Sequence, residues 1–447
     1  MDDLKFPKGF LFGAATSACQ VEGAGREGGK GASIWDVLAT KPGAIWDGST
    51  PESSCDQYHH MDEDVALLKQ LGVQSYRFSF SWPRILPTGT GKVNRQGMDY
   101  YHRLVDALNA NGIVPNATLY HWDLPAVLDE RGGWLNRDAI RWFADYASLL
   151  YDEFGDSIPL WATVNEPIAT YVGYSGQGFA PNRGDEASGR RANHILLMAH
   201  GEAVRRFRQA KLKGKIGIVV DIWHHHPLRA DHPGDVALAE LENEKSYRAY
   251  LNPIFRGAYT DALLDYMARE NCLPEIREGD MELIHQPLDF FGLNCYNRVV
   301  DCVDPSLLER DDTRPTGGNF LDNGVETYPR AVYDAAHILA DEYKIGIPIY
   351  ITENGMPNGN EDVVDGKIHD TARVGYIKGF LKWTAKAIAE GIDIRGYYLW
   401  SLLDNWEWIA GYSMRYGMVH VDFNTQRRIL KDSARWYSQF IAEHSER

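Results

Sequence analysis

The sequence lacks any apolar segment that could cross a membrane, since no stretch approaches the roughly eighteen uninterrupted apolar residues that a spanning helix needs. Its opening residues, MDDLKFPKGF, also lack the basic start and the apolar run of a secretory signal peptide. These two absences predict a soluble, cytoplasmic protein that has no membrane partner.

Cysteine and positive charge are both in short supply. The 5 cysteines, an odd number without metal-binding spacing, indicate free thiols in a reducing compartment rather than a disulfide framework. The 46 Lys and Arg are outnumbered by 62 Asp and Glu, and the resulting net charge of −16 opposes binding to nucleic acid. The sequence therefore predicts no nucleic-acid partner, and it leaves open a homo-oligomer.

Linkers, low-complexity tracts and literal repeats are missing as well, so we expect one domain over residues 1–447. What recurs is a pattern: an amphipathic helix, a short turn that usually carries glycine, and then an apolar strand. In DEDVALLKQLGVQSYRFSFSW, Val65, Leu68 and Leu71 share one helical face, and Gly72 can take the left-handed geometry that ends a helix. The pattern returns with Gly112, Gly155 and Gly391.

Eight segments are candidate strands, and helical stretches separate most of them. They are FLFGAATSACQ, SYRFSFSW, VPNATLYHW, PLWATVNEP, GKIGIVVDIW, LDFFGLNCYN, IPIYITENG and IRGYYLWSLLDN. Strands that alternate with helices pair in parallel through right-handed crossovers, and eight of them can close into a barrel. An open doubly wound sheet is the competing fold, but no early strand ends in the glycine fingerprint of a nucleotide-binding sheet. The sequence therefore predicts an α/β fold, a (β/α)8 TIM barrel with extended loops.

At the carboxyl ends of these strands, apolar residues give way to polar and aromatic ones. The residues at these ends are Gln20, Arg77, His121, Trp122, Asn165, Glu166, Asn294, Tyr296, Glu353 and Trp400. In a barrel, the carboxyl ends of the strands meet on one face, where such enzymes hold their active sites. We therefore expect these side chains to lie together.

Two of these residues are carboxylic acids, Glu166 in TVNEP and Glu353 in TENG. Pro167 is expected to hold Glu166 in an extended backbone and to end its strand, and Asn354-Gly355 supplies a turn after Glu353. Two carboxylates that face a cleft rich in Trp, Tyr, Asn and Gln form the arrangement that cleavage of a glycosidic bond needs. The residues themselves thus favour a glycosidase.

The same segments carry a resemblance to a known family. FLFGAATSACQVEG, SYRFSFSWPRILP, LYHWDLP, TVNEP, ITENG and LWSLLDNWEWIAGYSMRYGMVHVD together resemble glycoside hydrolase family 1, the β-glucosidase family, over nearly the whole chain. The resemblance implies a (β/α)8 barrel, a retaining double displacement without a cofactor, and a small β-glycoside or oligosaccharide as the substrate. It implies that Glu166 is the acid/base and Glu353 the nucleophile, with carboxyl groups about 5 Å apart. Burial and the charge of Glu353 would keep a proton on Glu166.

By the same resemblance, further residues are expected to bind the sugar or to support the two acids. Arg77 would keep Glu353 ionised, Tyr296 would contact it, and Asn165 would hold the 2-hydroxyl of the sugar. Trp400 would form the floor of the pocket, and its peptide bond to Ser401 is a candidate cis bond. The sugar-binding set is Gln20, His121, Trp122, Asn165, Tyr296, Trp400, Glu407 and Trp408, and the supporting set is Arg77 and Asn294. Trp406 is expected in the core.

Three alternative functions stay open. A 6-phospho-β-glucosidase is disfavoured by Glu407, whose charge would repel a phosphate, although Arg415 and Tyr416 follow it closely. A transglycosidase shares the covalent intermediate and differs only in the acceptor. A catalytically silent sugar-binding barrel would normally lack one of the two acids.

Two further segments call for an interpretation. Val325 in NGVETYP stands where many family members have Trp, so we expect a different or looser site for the leaving group. The segment WHHHP, with His224 to His226, resembles a metal-binding tract. Three consecutive imidazoles cannot all face one ion from an extended segment without distortion, so we expect no metal site.

Overall fold

Eight parallel strands form a closed barrel in the computed structural model, which describes residues 4–308, 319–320, 326–358 and 361–445. The strands are β1 (Leu11–Ala15), β2 (Ser75–Ser79), β3 (Val114–Tyr120), β4 (Leu160–Asn165), β5 (Lys215–Asp221), β6 (Phe290–Asn294), β7 (Ile349–Asn354) and β8 (Ile394–Trp400). Each strand pairs with its neighbours in chain order, and β8 closes on β1, where Ala15 lies opposite Trp400. The predicted strands and the predicted TIM barrel are confirmed.

Helices fill the connections between the barrel strands. The α-helices are Ala18–Val21, Ile34–Ala39, Gln57–Leu71, Trp82–Ile85, Arg95–Ala110, Ala126–Asp129, Asp138–Phe154, Pro167–Tyr174, Glu186–Gln209, Pro233–Lys245, Arg248–Arg256, Asp261–Arg269, Asp280–Ile284, Ala331–His337, Thr371–Ala389 and Asp432–His444. Short 3-10 helices lie at Gly133–Leu135, Pro305–Leu307 and Trp408–Ala410, and a π-helix at Ile338–Glu342. Across the described ranges, we find no helix with the length and apolar character needed to span a membrane.

Three small strand pairs lie outside the barrel. They are His225–Pro227 with Val299–Asp301, Asn319–Phe320 with Glu326–Thr327, and Val419–Asp422 with Arg427–Leu430. The first pair is parallel and extends the connections that follow β5 and β6. These pairs give the long loops above the barrel a backbone framework.

Glycine ends several helices in the way that the sequence predicts. Gly72, Gly112 and Gly391 have φ angles of +72°, +70° and +99°, in the left-handed region that a residue with a Cβ rarely adopts. Gly155 differs, because its φ is −56°. A Cβ there would lie 2.4 Å from Cδ2 of Leu212, so close packing is the reason for glycine at this position.

A layer of apolar side chains fills the barrel interior beneath the carboxyl ends of the strands. Its buried members are Ala15, Leu160, Ala162, Val219, Phe290, Tyr350, Tyr398 and Trp400. Successive side chains of a strand point to opposite faces, so every second residue enters this layer and the others pack against the helices. The polar residues at the strand ends therefore rest on a packed floor.

A buried charge network ties the loops after β7 and β8 to the C-terminal segment. Lys431 Nζ lies 2.7 Å from Asp404 Oδ1, and it also contacts Glu361. Arg415 Nη1 lies 2.8 Å from the other oxygen of Asp404. Because Asp404 and Arg415 bracket the loop that carries Glu407, the network fixes both ends of that loop.

Replacement of Lys431 by Met is expected to lower the free energy of unfolding by about 3 kcal/mol, because two buried acids each lose one of their two cationic partners. Lys431 is fully buried, whereas Lys215, at the start of β5, is exposed. Lys215→Met makes the same charge change and should stay within about 0.5 kcal/mol of the unmodified protein. Urea unfolding measures both variants, and equal stabilities would contradict a structural role for Lys431.

Candidate active site

The two predicted acids lie at the carboxyl ends of β4 and β7 and line one cavity. Glu353 belongs to β7, and Glu166 follows the last residue of β4. The cavity has a volume of about 120 Å³, small beside the ~300–1,000 Å³ of drug-sized sites. Its lining residues are His121, Trp122, Glu166, Trp223, Tyr296, Glu353, Trp400, Glu407, Trp408 and Tyr416. Side chains from distant parts of the chain thus meet at one face of the barrel.

Glu353 is surrounded by hydrogen-bond donors. The Arg77 guanidinium donates through Nη1 to Glu353 Oε1, and the Tyr296 hydroxyl donates to Oε2 at 2.7 Å. Burial, followed by the charge of Glu353, raises the pKa of Tyr296 well above its usual value, so this hydroxyl keeps its proton. With a cation on one oxygen and a hydroxyl on the other, the site suits a carboxylate anion.

Glu166 lies in a different electrostatic environment. Its Oε1 accepts a hydrogen bond of 2.6 Å from Asn294 Nδ2, and the Thr352 hydroxyl orients that amide by donating to Asn294 Oδ1 at 2.8 Å. Burial raises the pKa of Glu166 well above its usual value, and the charges of Asp221 and Glu353 raise it further. Glu166 therefore holds a proton near neutral pH.

The backbone of Glu166 corrects one prediction. Its φ is +41° and its ψ is 82°, so it is left-handed rather than extended. Pro167, the first residue of the helix Pro167–Tyr174, excludes the right-handed helical region for the residue before it but leaves this conformation accessible. Such a conformation costs a residue with a Cβ about 1–3 kcal/mol. It directs the Glu166 N–H to the carbonyl oxygen of Val219, 2.9 Å away on β5.

Asn165 connects the two halves of the site. Its Oδ1 accepts from Arg77 Nη2 at 2.6 Å and from Asn294 Nδ2 at 3.1 Å. Its Nδ2 therefore donates, and it lies 3.2 Å from His121 Nε2, which must accept and places the imidazole proton on Nδ1. Burial, with the charge of Arg77, lowers the pKa of His121 well below its usual value, so the ring is neutral.

Glu407 lines the cavity, and Gln20 is hydrogen-bonded to it from behind the cavity wall. Gln20 lies in the helical turn Ala18–Val21 after β1, and its Nε2 donates to Glu407 Oε2 at 3.1 Å. Burial and the charge of Glu353 raise the pKa of Glu407 to about 8. Trp406 points away into the core, where its Nε1 donates to the Ser49 hydroxyl at 3.0 Å.

Aromatic rings form the remaining walls. The ring centroids of Trp122 and Trp408 are 4.7 Å apart, and His121 stacks on Trp400 at 5.8 Å with an interplanar angle of 17°. The peptide bond from Trp400 to Ser401 is cis, as predicted. The carbonyl oxygen of Trp400 would lie 1.8 Å from a Cβ at position 355, so only glycine fits in that turn after β7.

Two residues of the site, Trp223 and Asp221, were not predicted from the sequence, and Tyr416 was named only in connection with a 6-phosphate. Trp223 and Tyr416 line the cavity, and both rings lie near Tyr296, with centroid distances of 6.0 and 6.2 Å. Asp221 ends β5 and acts electrostatically on Glu166. A signal for Asp221 was present, because the buried run GIVV ends in an acid just as IYIT ends in Glu353. Trp223 belongs to the segment WHHHP, which was interpreted through its three histidines.

The three histidines of WHHHP lie apart from the paired acids. His225 Nδ1 is 2.8 Å from Asp301 Oδ2, and its two neighbours line a separate cavity of about 1140 Å³ that contains neither catalytic candidate. In the part of the chain that the structure describes, one acid and histidine group, Glu361, Asp404 and His420, lies within 4.8 Å. This group already contacts Lys431. Val325 lies outside the described residues.

A closed eight-stranded parallel barrel with paired acids, amides and indole rings around a small cavity at its carboxyl face defines a barrel of the glycosidase class. The family model described as Glycosyl hydrolase family 1 matches residues 3–446, and the chain belongs to this family. The resemblance to the β-glucosidase family is therefore confirmed, and the protein is a glycoside hydrolase.

Individual relatives agree with this assignment over almost their full lengths. The chain is 41% identical to Beta-glucosidase A of Acetivibrio thermocellus, with 99% of each chain covered. It is 39% identical to a bifunctional beta-D-glucosidase/beta-D-fucosidase of Bifidobacterium breve, again with 99% of each covered. Its structure matches that of a beta-glucosidase from Thermotoga maritima in complex with glucoimidazole, with a TM-score of 0.92, 41% identity, and 99% and 100% of the two chains covered.

Proposed function

We propose that the protein is a retaining β-glucosidase that releases terminal, non-reducing β-D-glucosyl residues through a covalent glycosyl-enzyme. The relatives named as β-glucosidases support this substrate, and the glucoimidazole complex supports a site for a single sugar ring. The observation that carries the proposal is the contrast between two acids on one cavity. Glu353 accepts hydrogen bonds from a guanidinium and a hydroxyl, whereas burial and neighbouring charge keep Glu166 protonated.

In the first step, an oxygen of Glu353 attacks the anomeric carbon as the bond to the leaving group breaks. Glu166 transfers its proton to the departing oxygen, so the leaving group departs as a neutral alcohol. The ester that forms at Glu353 carries no charge, which removes one of the two charges that hold the proton on Glu166.

In the second step, Glu166 accepts a proton from water as the water oxygen attacks the same carbon and Glu353 leaves. Two inversions at one carbon retain the β configuration. Arg77 and Tyr296 stabilise Glu353 as it regains its charge. Retaining enzymes hold their two carboxyl groups about 5 Å apart, which is the separation we expect between Glu166 and Glu353.

The sugar-binding roles follow from the donors and acceptors in the cavity wall and directly behind it. His121 and Glu407 line the cavity, and Asn165 and Gln20 are hydrogen-bonded to them. Asn165 and His121 would hold hydroxyl groups near the 2- and 3-positions, and Gln20 and Glu407 would hold those farther from the anomeric carbon. The indole rings of Trp122, Trp400 and Trp408 would contact the C–H faces. The B. breve relative supports an additional activity on β-fucosides, and β-galactosides are a further candidate.

Glu407 also favours an unphosphorylated substrate. Its carboxyl group lines the cavity and meets the Gln20 amide, so a 6-phosphate placed there would meet a carboxyl group rather than a cation in a buried site. We therefore expect kcat/KM for 4-nitrophenyl β-glucoside to exceed that for its 6-phosphate by about 10²-fold or more, a difference of about 3 kcal/mol. Initial rates on the two glycosides measure this ratio, and a preference for the phosphorylated one would reverse the assignment.

The stereochemical outcome tests the double displacement itself. Proton NMR during the first minutes of hydrolysis should show β-glucose before the anomers equilibrate. The same spectra separate the alternatives: longer glycosides would indicate a transglycosidase, and unchanged substrate a silent sugar-binding protein. First-formed α-glucose would rule out the retaining mechanism.

A further inference from the structure

Asp221 is a buried acid at the carboxyl end of the barrel interior. Its residue is 5% exposed, and it is the last residue of β5. Val219, two residues earlier, belongs to the apolar layer that fills the barrel. Because side chains two residues apart on a strand share a face, Asp221 points to the same side, immediately above that layer.

The backbone geometry places Asp221 beside Glu166. The Glu166 N–H donates to the Val219 carbonyl oxygen at 2.9 Å, which pins Glu166 to β5. Asp221 lies opposite Asn294 in the register of β5 and β6, and Asn294 Nδ2 donates to Glu166 Oε1 at 2.6 Å. Asp221 and Glu166 are therefore both neighbours of Asn294, the first through strand register and the second through a hydrogen bond.

Asp221 has no cation to balance its charge within the described residues. None of the ion pairs of residues 4–308, 319–320, 326–358 and 361–445 includes it, and its buried Oδ1 has no hydrogen-bond partner there. The nearest guanidinium in the site, that of Arg77, is already bonded to Glu353 and Asn165. An unpaired carboxylate in such a place is costly, so the group takes up a proton more readily, and buried acids of this kind are candidates for a functional role.

The titratable groups around the two acids come from several elements. Tyr250 and Cys295 lie near Asp221, and burial raises the pKa of each above its usual value, so both are neutral. The charged or titratable groups near Glu166 are Asp221, Glu353, Arg77, Tyr296 and Tyr416. Burial likewise raises the pKa of Tyr416, which leaves Asp221 and Glu353 as the negative charges that act on Glu166.

We propose that Asp221 is a positioning residue that forms with Glu166 a buried acid pair, which retains one proton at higher pH than Glu166 would alone. The inference rests on the proposed role of Glu166 as the acid/base. Burial and the charge of Glu353 raise the pKa of Asp221 to about 7, and the charge of Asp221 affects Glu166 more than that of Glu353 does. Since two such groups titrate as a pair, the second proton leaves against the charge created by the first.

The direction of the effect follows from the charges. Below about pH 7 Asp221 is protonated and neutral, and it does not change the proton affinity of Glu166. Above that pH the charge of Asp221 holds the remaining proton on Glu166. Asparagine at position 221 is neutral at every pH, so Glu166 would lose its proton at a lower pH. Activity on the acidic side of the pH profile would stay unchanged.

The test is the pH dependence of kcat/KM for 4-nitrophenyl β-glucoside between about pH 5 and 9. Asp221→Asn should move the alkaline limb to lower pH by about one unit or more. The control is Asp289→Asn, the same change at the opposite end of the barrel, where Asp289 Oδ2 accepts the Ile216 N–H at 2.8 Å. The control should leave the alkaline limb of the pH profile in place. An alkaline limb that does not move in Asp221→Asn would overturn the inference.

A second arm separates this inference from the proposed function. Glu166→Ala should remove the alkaline limb, and adding Asp221→Asn to that variant should then cause no further shift. If Glu166→Ala removes the limb and Asp221→Asn alone leaves it unmoved, the role of Asp221 is wrong while that of Glu166 stands. If the limb survives Glu166→Ala, the acid/base assignment itself is wrong.

If Asp221→Asn does not fold, infrared titration of the carboxyl C=O stretch provides the measurement with Asp221 intact. Asp221 should lose its proton first in the unmodified enzyme and Glu166 at higher pH, and Glu166→Gln should remove only the later step, because Glu166 is still neutral when Asp221 ionises. A Glu166 band that is lost at the lower pH, before Asp221 has ionised, would overturn the inference.

Discussion

Glu353→Gly is expected to reduce kcat for 4-nitrophenyl β-glucoside by at least about 10⁴-fold, because it removes the oxygen that attacks the anomeric carbon. Added azide should restore turnover and yield the α-glycosyl azide. Azide is an anion, so in the space left by the side chain it also replaces the negative charge beside Arg77. Product release at several azide concentrations, with NMR of the glycosyl azide, measures both parts of the expectation.

The structure supplies a matched control for this variant. Glu278 is an exposed glutamate in a turn, and Glu278→Gly should keep full activity. Melting temperatures distinguish chemical loss from unfolding, which is a concern here because Arg77 would be left buried without its partner. A folded Glu353→Gly protein that hydrolyses the substrate at the normal rate would exclude Glu353 as the nucleophile.

The loss of activity in the Glu166→Ala variant is expected to depend on the leaving group of the substrate. For alkyl β-glucosides, whose departing oxygen needs a proton, kcat/KM should fall by about 10²–10⁴-fold. For 2,4-dinitrophenyl β-glucoside the first step needs little acid assistance, so the glycosyl-enzyme should accumulate and azide should release it as the β-glycosyl azide. Steady-state and burst kinetics on the two substrate types measure the difference.

Glu166→Gln is the companion to this variant. Glutamine keeps the acceptor oxygen for Asn294 and has the neutral charge of a protonated glutamic acid, so folding and sugar binding should be preserved. It has no acidic proton to give, so alkyl glucosides should remain poor substrates. An equal loss on both substrate types in either variant would argue against a proton-transfer role.

The fold could be predicted from the sequence because its signals are local. Strands such as IYITEN and GIVV are buried on both faces and read as apolar runs, and helices between them have one apolar face. The alternation repeats until eight strands close the barrel. Gly155 is an exception. Its φ is an ordinary helical one, and the close approach of Leu212 is the reason that glycine stands there.

The members of the site that were predicted are those that end a recognisable strand or match the family pattern. Asp221 was missed although it ends β5, because a single acid carries no sign of which charges will surround it. The left-handed backbone of Glu166 was missed because the restriction imposed by Pro167 excludes one conformation and leaves several. The contact with the Val219 carbonyl selects among them.

The sequence by itself determined that this chain folds as an α/β barrel and that polar and aromatic residues collect at one end of its strands, since both follow from side-chain periodicity along the chain. The tertiary structure alone decided how two identical side chains come to differ. Arg77 reaches Glu353 from β2, while Glu166 is buried, accepts a hydrogen bond from Asn294 and is acted on by the charge of Asp221. A proton affinity is set by the charges and donors within a few ångströms, and in a barrel these come from strands that are far apart in sequence.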